Sequence, residues 1–239
     1  MLPPPPRVLL ILGTDASGKD HVADFLIRRW AAAGVSVEKR EGRLSASPAD
    51  PRPGTERKGA LNHAMEALFL RCLPWIRWLL RRVLPRLLAH DVRRFVVRKQ
   101  AVIVVSQTDL RLAAFLDSEF PAPPSASRPW QESLRRLAAV PGLRVLLLRV
   151  SGPVRERRIR HRVAAGVSDP FDRLLLSDAP RARRFDDCLG RLATGVLQAR
   201  VIENNDLDEE DLERAVAQAL TGPPPDGGSA RPEPHTAVG

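Results

Sequence analysis

The residues best equipped for chemistry stand near the start of the chain, in the run Gly13-Thr14-Asp15-Ala16-Ser17-Gly18-Lys19-Asp20. This is G-x-x-x-x-G-K followed by a polar residue. The glycines let the backbone curl around an anion, and the N–H groups of a following helix point at a β-phosphate. Lys19 supplies a point charge to the β and γ oxygens. Gly13, Asp15, Ala16, Ser17, Gly18, Lys19 and Asp20 are therefore candidate nucleotide-binding residues, with ATP as the expected nucleotide and Lys19 as a catalytic candidate. Asp20 occupies the position from which a serine or threonine hydroxyl ordinarily touches Mg²⁺. A carboxylate is itself a good magnesium ligand, so Asp20 is a candidate metal ligand, and its charge beside a triphosphate calls for a bound cation.

A second concentration of charge lies at Arg155, Arg157, Arg158, Arg160 and Arg162. On a helix, Arg155, Arg158 and Arg162 share one face, being spaced by three and four. Arg158 and Arg162 are the catalytic candidates here, as a lid over a transferring phosphoryl group; the alternative is a solvated basic face. Arg181, Arg183 and Arg184 read as surface.

These groups need elements to hold them. Residues 8–12 (VLLIL) form a continuous apolar run, as expected of a strand buried on both sheet faces. An amphipathic helix follows over 19–33, closed by Gly34, and then a strand over 35–39. Residues 40–55 are a polar loop. The stretch 57–98 is helical in pattern, and Pro74 and Pro85 are expected to kink or divide it. Further strands are expected at 101–105, 144–150 and 200–203. A helix follows 101–105, then a loop over 120–129 and a helix over 130–140. Arginine-rich helices are expected at about 153–165 and 178–198. Asp208 is a plausible N-cap for a last helix with acids in its first turn. Strands alternating with helices imply an α/β fold: a doubly wound, mainly parallel, five-stranded sheet flanked by helices.

Composition narrows the function classes. The chain has 239 residues, enough for one domain, taken as residues 7–220, between proline-rich ends at 1–6 and 221–239 that are expected to be mobile. The formal charge is +10, yet tyrosine is absent and aromatics make up 5%, so the base-stacking aromatics of a nucleic-acid surface are missing. Cys72 and Cys188 are far apart and lack metal-ligand spacing, and no apolar run has membrane-spanning length; a reducing cytoplasm is the expected location. The apolar, basic stretch 68–88, with Trp75 and Trp78 among arginines, suits core or homodimer packing as the common case; it could equally line an acceptor pocket, and contact with an anionic membrane surface is the least expected.

The run LGTDASGKD resembles the phosphate loop of thymidylate kinases, which read G-x-D-x-x-G-K. Arg40-Glu41-Gly42 is similar to the start of that family's Arg-Glu-Pro-Gly loop. Pro153 with Arg158-Ile159-Arg160-His161-Arg162 is similar to its lid region. The run 201–207 (VIENNDL) resembles the strand and loop that cup adenine in nucleotide kinases. The resemblance implies a phosphate-loop kinase of nucleotide-kinase type using ATP and Mg²⁺, with Asp15, Arg40 and Glu41 near the acceptor and Asn205 near the adenine. One departure stands out. Thymidylate kinases carry Asp-Arg after the third strand; here stand Ser106-Gln107, with Asp109 and Arg111 beyond. Either Asp109 substitutes as the metal-organising acid or Asp20 has taken that role. The expected activity is transfer of the γ-phosphoryl group to a nucleoside monophosphate or another small acceptor. The second reading is a regulatory or scaffold protein that holds ATP without turning it over.

Overall fold

The computed structural model describes residues 2–48, 60–120 and 124–222. The tail expected at 221–239 and the loops expected at 40–55 and 120–129 thus lie partly outside the described residues. Five strands, β1 (Val8–Gly13), β2 (Val37–Glu41), β3 (Ala101–Val105), β4 (Leu143–Arg149) and β5 (Arg200–Glu203), form one sheet in the order β2-β3-β1-β4-β5. Every neighbouring pair is parallel.

All six residues of β1 are buried, because β1 is central and both of its faces are covered. The side-chain period of two divides the apolar run between two cores. Leu10 and Leu12 face one core with Val102, Val104 and Leu147, under α2 (Ala60–Arg94), α3 (Thr108–Glu119), α4 (Arg128–Ala138) and α7 (Ala179–Gly195). Leu9 and Ile11 face the other with Ile103 and Leu148, under α1 (Lys19–Ala32) and α8 (Glu209–Thr221). The sheet is doubly wound, as its alternating pattern implied. From β1 the chain first builds the β2–β3 side, then crosses to β4 and β5. Ligands in open α/β sheets bind at such a switch point, at the carboxyl ends of the strands.

Three elements differ from the sequence reading. The second strand begins at Val37, two residues late. Helix α2 runs unbroken through Pro74 and Pro85 for 35 residues. Each proline removes one helical hydrogen bond, but Leu73, Leu84 and Leu88 are buried against the neighbouring helices, and this packing holds the helix together. The carbonyl of Pro85 accepts from Ser133 Oγ on α4 at 2.8 Å. The short helix α6 (Pro170–Ser177) had no counterpart in the reading. The remaining helix, α5 (Gly152–Ala164), carries Arg158 and Arg162, the arginines expected to form a lid.

On α2, Trp75, Trp78, Leu68 and Leu79 are exposed. Among the described residues no helix is long and apolar enough to cross a membrane.

Candidate active site

The loop leaving β1 is built around its two glycines. A Cβ on Gly13 would lie 2.4 Å from Ser17 Oγ and 2.8 Å from the Leu148 carbonyl. Gly18 caps α1 with φ 87°, and a Cβ there would lie 2.6 Å from Asn204 Nδ2. No other residue meets both the left-handed backbone and the close approach. The loop is then tied down from the far side of the sheet. Asn204 Nδ2 donates to the Ser17 carbonyl at 2.8 Å, and Arg158 Nη1 donates to the Ala16 carbonyl at 3.0 Å. The first N–H groups of α1 lack intrahelical partners and open toward the cradle.

Lys19 lies beneath this loop, 7% exposed, its Nζ donating to the Thr14 carbonyl at 2.7 Å. Burial pushes the amine down to about 8; Arg111 and Arg162 push the same way, while Asp15 and Asp20 oppose them. A desolvated ammonium among other cations is strongly favoured by an arriving anion. Both oxygens of Asp15 accept from Arg111 Nη2, at 2.8 and 2.6 Å. Arg111 reaches them from α3, its Nη1 resting on Ser106 Oγ at 3.3 Å.

A cleft of about 1240 Å³ stands over the loop. It brings together Asp15, Ala16, Gly18, Lys19 and Asp20 with Glu41, Arg158 and Arg162 from outside the loop. Gly13 and Ser17 are buried within the loop. The side chain of Asp20 is 69% exposed at the cleft mouth, 3.6 Å from Lys39 Nζ. Arg162 Nη1 pairs with Asp172 Oδ1 at 3.1 Å, a buried carboxyl that burial and Asp169 raise to about 6 against the pull of Arg162. Arg158 also donates to the Asn204 carbonyl and to Asp206 Oδ1, each at 3.0 Å, so it joins the phosphate loop to the loop after β5.

Three expected site residues stand apart from the cleft. Arg40 is buried: it pairs with Glu38 at 2.5 Å, donates to the carbonyls of Leu44 and Val96, and lies over the Phe95 ring. Its guanidinium braces the turn after β2, and Arg40 is not among the residues lining the cleft over the loop. Asp109 is 1% exposed on α3, with Arg43 at 3.7 Å, and burial raises its carboxyl to about 6. Asn205 is exposed and accepts from Ser151 N at 2.7 Å; its neighbour Asn204 makes the phosphate-loop contact.

Several structural roles escaped the sequence reading. Gln107, where thymidylate kinases carry Asp-Arg, is fully buried and donates to Asp91 Oδ2 at 2.7 Å. Asp91 of α2 also accepts from Leu44 N and from Ser45 N and Oγ, which fixes the turn beyond β2. Asp186 of α7 bonds the Thr14 side chain and pairs with the buried Arg155, whose place on α5 is thus structural. Glu119 accepts from Arg181 Nε at 3.0 Å. Asp169 and Asp172 form the capping box of α6. The Asp-Pro-x-Asp run was the signal for that helix. None of the other contacts has a local signature.

No family model and no curated protein matches this chain. Solved structures do. The chain is similar to the deoxyadenosine kinase of M. mycoides with bound dATP, at 12% identity and TM-score 0.49, over 89% of this chain and 98% of that one. It is similar to the shikimate kinase of Acinetobacter baumannii in complex with shikimate, at 18% identity and TM-score 0.40, over 90% and 93%. The thymidylate kinase of Candida albicans is similar at 12% identity and TM-score 0.40, over 88% of each chain.

Proposed function

We propose that this chain is an ATP-dependent phosphotransferase that moves the γ-phosphoryl group of ATP to a small acceptor. The observation that carries the reading is the buried Lys19 amine under a glycine-pinned loop, inside a cleft that also receives Arg158 and Arg162. Phosphoryl transfer asks a protein mainly for positioning and for charge complementary to the triphosphate, and this cleft offers both. Lys19 would neutralise the β and γ oxygens. Arg162 would leave Asp172 to meet the transferring group, while Arg158 holds the loop in shape. The alternative lid assignment, with Arg158 itself at the γ-phosphoryl group, requires it to give up three contacts.

The donor set fits magnesium in the way usual for nucleotide sites, with one carboxylate plus the substrate's phosphates. Asp20 at the cleft mouth would be that carboxylate. Among the described residues no group of three acidic, histidine or cysteine side chains could hold a metal by itself. The metal would supply charge neutralisation across the β and γ oxygens.

The loop's resemblance to thymidylate kinases makes a nucleoside monophosphate the first acceptor to try, held near Asp15 and Glu41. A survey of acceptors with γ-labelled ATP and Mg²⁺ tests the proposal: label should move to a small molecule. A specific observation favours the second reading, an ATP-binding scaffold. After β3, Gln107 is spent on Asp91, and Asp109 is buried beside Arg43 away from the cleft. Tight ATP binding with no transfer to any acceptor would select that reading.

A further inference from the structure

Alternation along β2 sorts its side chains between the two faces of the sheet. Glu38 and Arg40 are buried on one face, whereas Val37, Lys39 and Glu41 point to the face that α1 covers. On α1, Asp20 and Asp24 stand one turn apart, so both carboxylates reach the same place. Lys39 Nζ lies among three of them. It donates to Asp24 Oδ1 at 2.9 Å and stands 3.6 Å from Asp20 Oδ1 and 3.7 Å from Glu41 Oε1. Burial works against the charge of Lys39, but the Asp24 hydrogen bond and the charges of Asp20, Asp24 and Glu41 outweigh it, and the amine is held above its ordinary value.

Asp20 and Glu41 line the phosphate cleft, and Lys39 is not in that lining. A carboxylate at position 20, where phosphate loops ordinarily carry a neutral hydroxyl, repels a triphosphate unless a cation offsets it. An ammonium 3.6 Å away cancels much of that field before any metal arrives. The geometry also keeps Asp20 available. Lys39 is anchored on Asp24, and 3.6 Å is an ion-pair distance longer than a hydrogen bond. Asp20 can therefore turn its oxygens to a divalent cation without breaking a hydrogen bond to Lys39.

Resting on the reading proposed above, we infer that Lys39 is a positioning residue for the phosphate loop, the tethered counter-cation of Asp20. It lets the cleft accept a nucleoside triphosphate with or without magnesium and leaves the carboxylate open to the metal. Its action is electrostatic and passes through Asp20; no bond is made or broken at Lys39. Without the ammonium, Asp20 repels metal-free ATP, whereas ATP carrying Mg²⁺ brings its own positive charge and feels the loss less. Loss of Lys39 should therefore widen the gap between metal-free and magnesium-bound affinity. A lysine that merely ties β2 to α1 through Asp24 would alter both affinities alike.

The test is calorimetric titration of ATP into the full chain, once in EDTA and once in excess Mg²⁺. The ratio of the two Kd values measures the coupling of nucleotide to metal. Lys39→Gln should raise this ratio about fivefold or more, chiefly through weaker binding in EDTA. In an Asp20→Ser background the same substitution should change it by less than about twofold, because the carboxylate to be offset is gone. Lys39→Arg, which keeps the charge, should stay within about twofold of the unmodified chain. Lys39→Met, which keeps the packed stem, replaces Lys39→Gln where that variant does not fold. An unchanged ratio on loss of the charge overturns the inference. So does an equal rise with and without Asp20, since the ammonium then acts on the nucleotide directly. Binding of ATP by the unmodified chain in Mg²⁺ alone, with none in EDTA, also overturns it and leaves the phosphotransferase reading standing. Absence of ATP binding in both buffers is a different result, and it sinks that reading as well.

Discussion

The two chambers flanking the Asp15–Arg111 pair are made in opposite ways. The phosphate side is built mostly of backbone: eight consecutive residues, two glycines that no side chain could replace, and the open end of α1. Its shape is set by this local run and is held from a distance by Asn204, Arg158 and Arg111. The other chamber is built of side chains from α2, α3, α6 and α7, spread from Phe69 to Phe185. A phosphate is the same in every nucleotide and can be met by a local motif. A chamber lined by side chains from four helices is assembled only when those helices pack. The first side is therefore defined by backbone conformation, and the second by packing.

The sharpest way to break this contrast is Gly18→Val. The left-handed backbone and the 2.6 Å approach to Asn204 leave no room, so ATP affinity should fall by roughly a hundredfold or more. Isothermal calorimetry on the folded variant checks it. Affinity unchanged within about threefold would mean that the loop binds phosphate by side chains after all.

A smaller effect separates the lid arginines. Arg162→Ala should lower kcat about a hundredfold with ATP affinity nearly kept, because its present partner is Asp172. Arg158→Ala should instead weaken ATP binding about tenfold, since it ties Ala16 to Asn204. Arg183→Ala, exposed on α7, is the control and should be silent in steady-state kinetics. Equal behaviour of all three would mark α5 as a solvated basic face.

The smallest effect concerns Asp109. Its carboxyl is raised from 3.8 to about 6 by burial. Between those values the folded state keeps a proton that the unfolded chain has lost, so stability falls as pH rises from about 4 to 6. Asp109→Asn removes that loss and should stabilise the fold above pH 6.5 by ~1–2 kcal/mol, read by urea melts at pH 5 and pH 7.5. A destabilised Asp109→Asn at pH 7.5 would show that the carboxylate is needed in its charged form.

The same division explains what was legible in the sequence. VLLIL, the glycine spacing and Gly34 act within a few residues, and β1, the phosphate loop and α1 stand where those signals put them. The alternation of strands with helices carried the parallel sheet. Arg40 could not be placed: a basic residue at the end of a strand looks the same whether it faces a ligand or, as here, Glu38 and two carbonyls. Asn204 and Asn205 are adjacent, and only the pleat of β5 decides which one meets Ser17. The arginine holding Asp15 lies 96 residues away on α3, a pairing that no spacing rule connects.

The central claim is that the buried Lys19 amine under the Gly13–Gly18 loop holds a triphosphate. Calorimetric titration of ATP with Mg²⁺ into the unmodified chain and into Lys19→Ala tests it most directly. The account predicts binding that weakens at least tenfold in the variant, ~1.4 kcal/mol or more, while its circular dichroism and melting transition persist. Equal affinity in a folded Lys19→Ala protein, or no ATP binding by the unmodified chain, would contradict it.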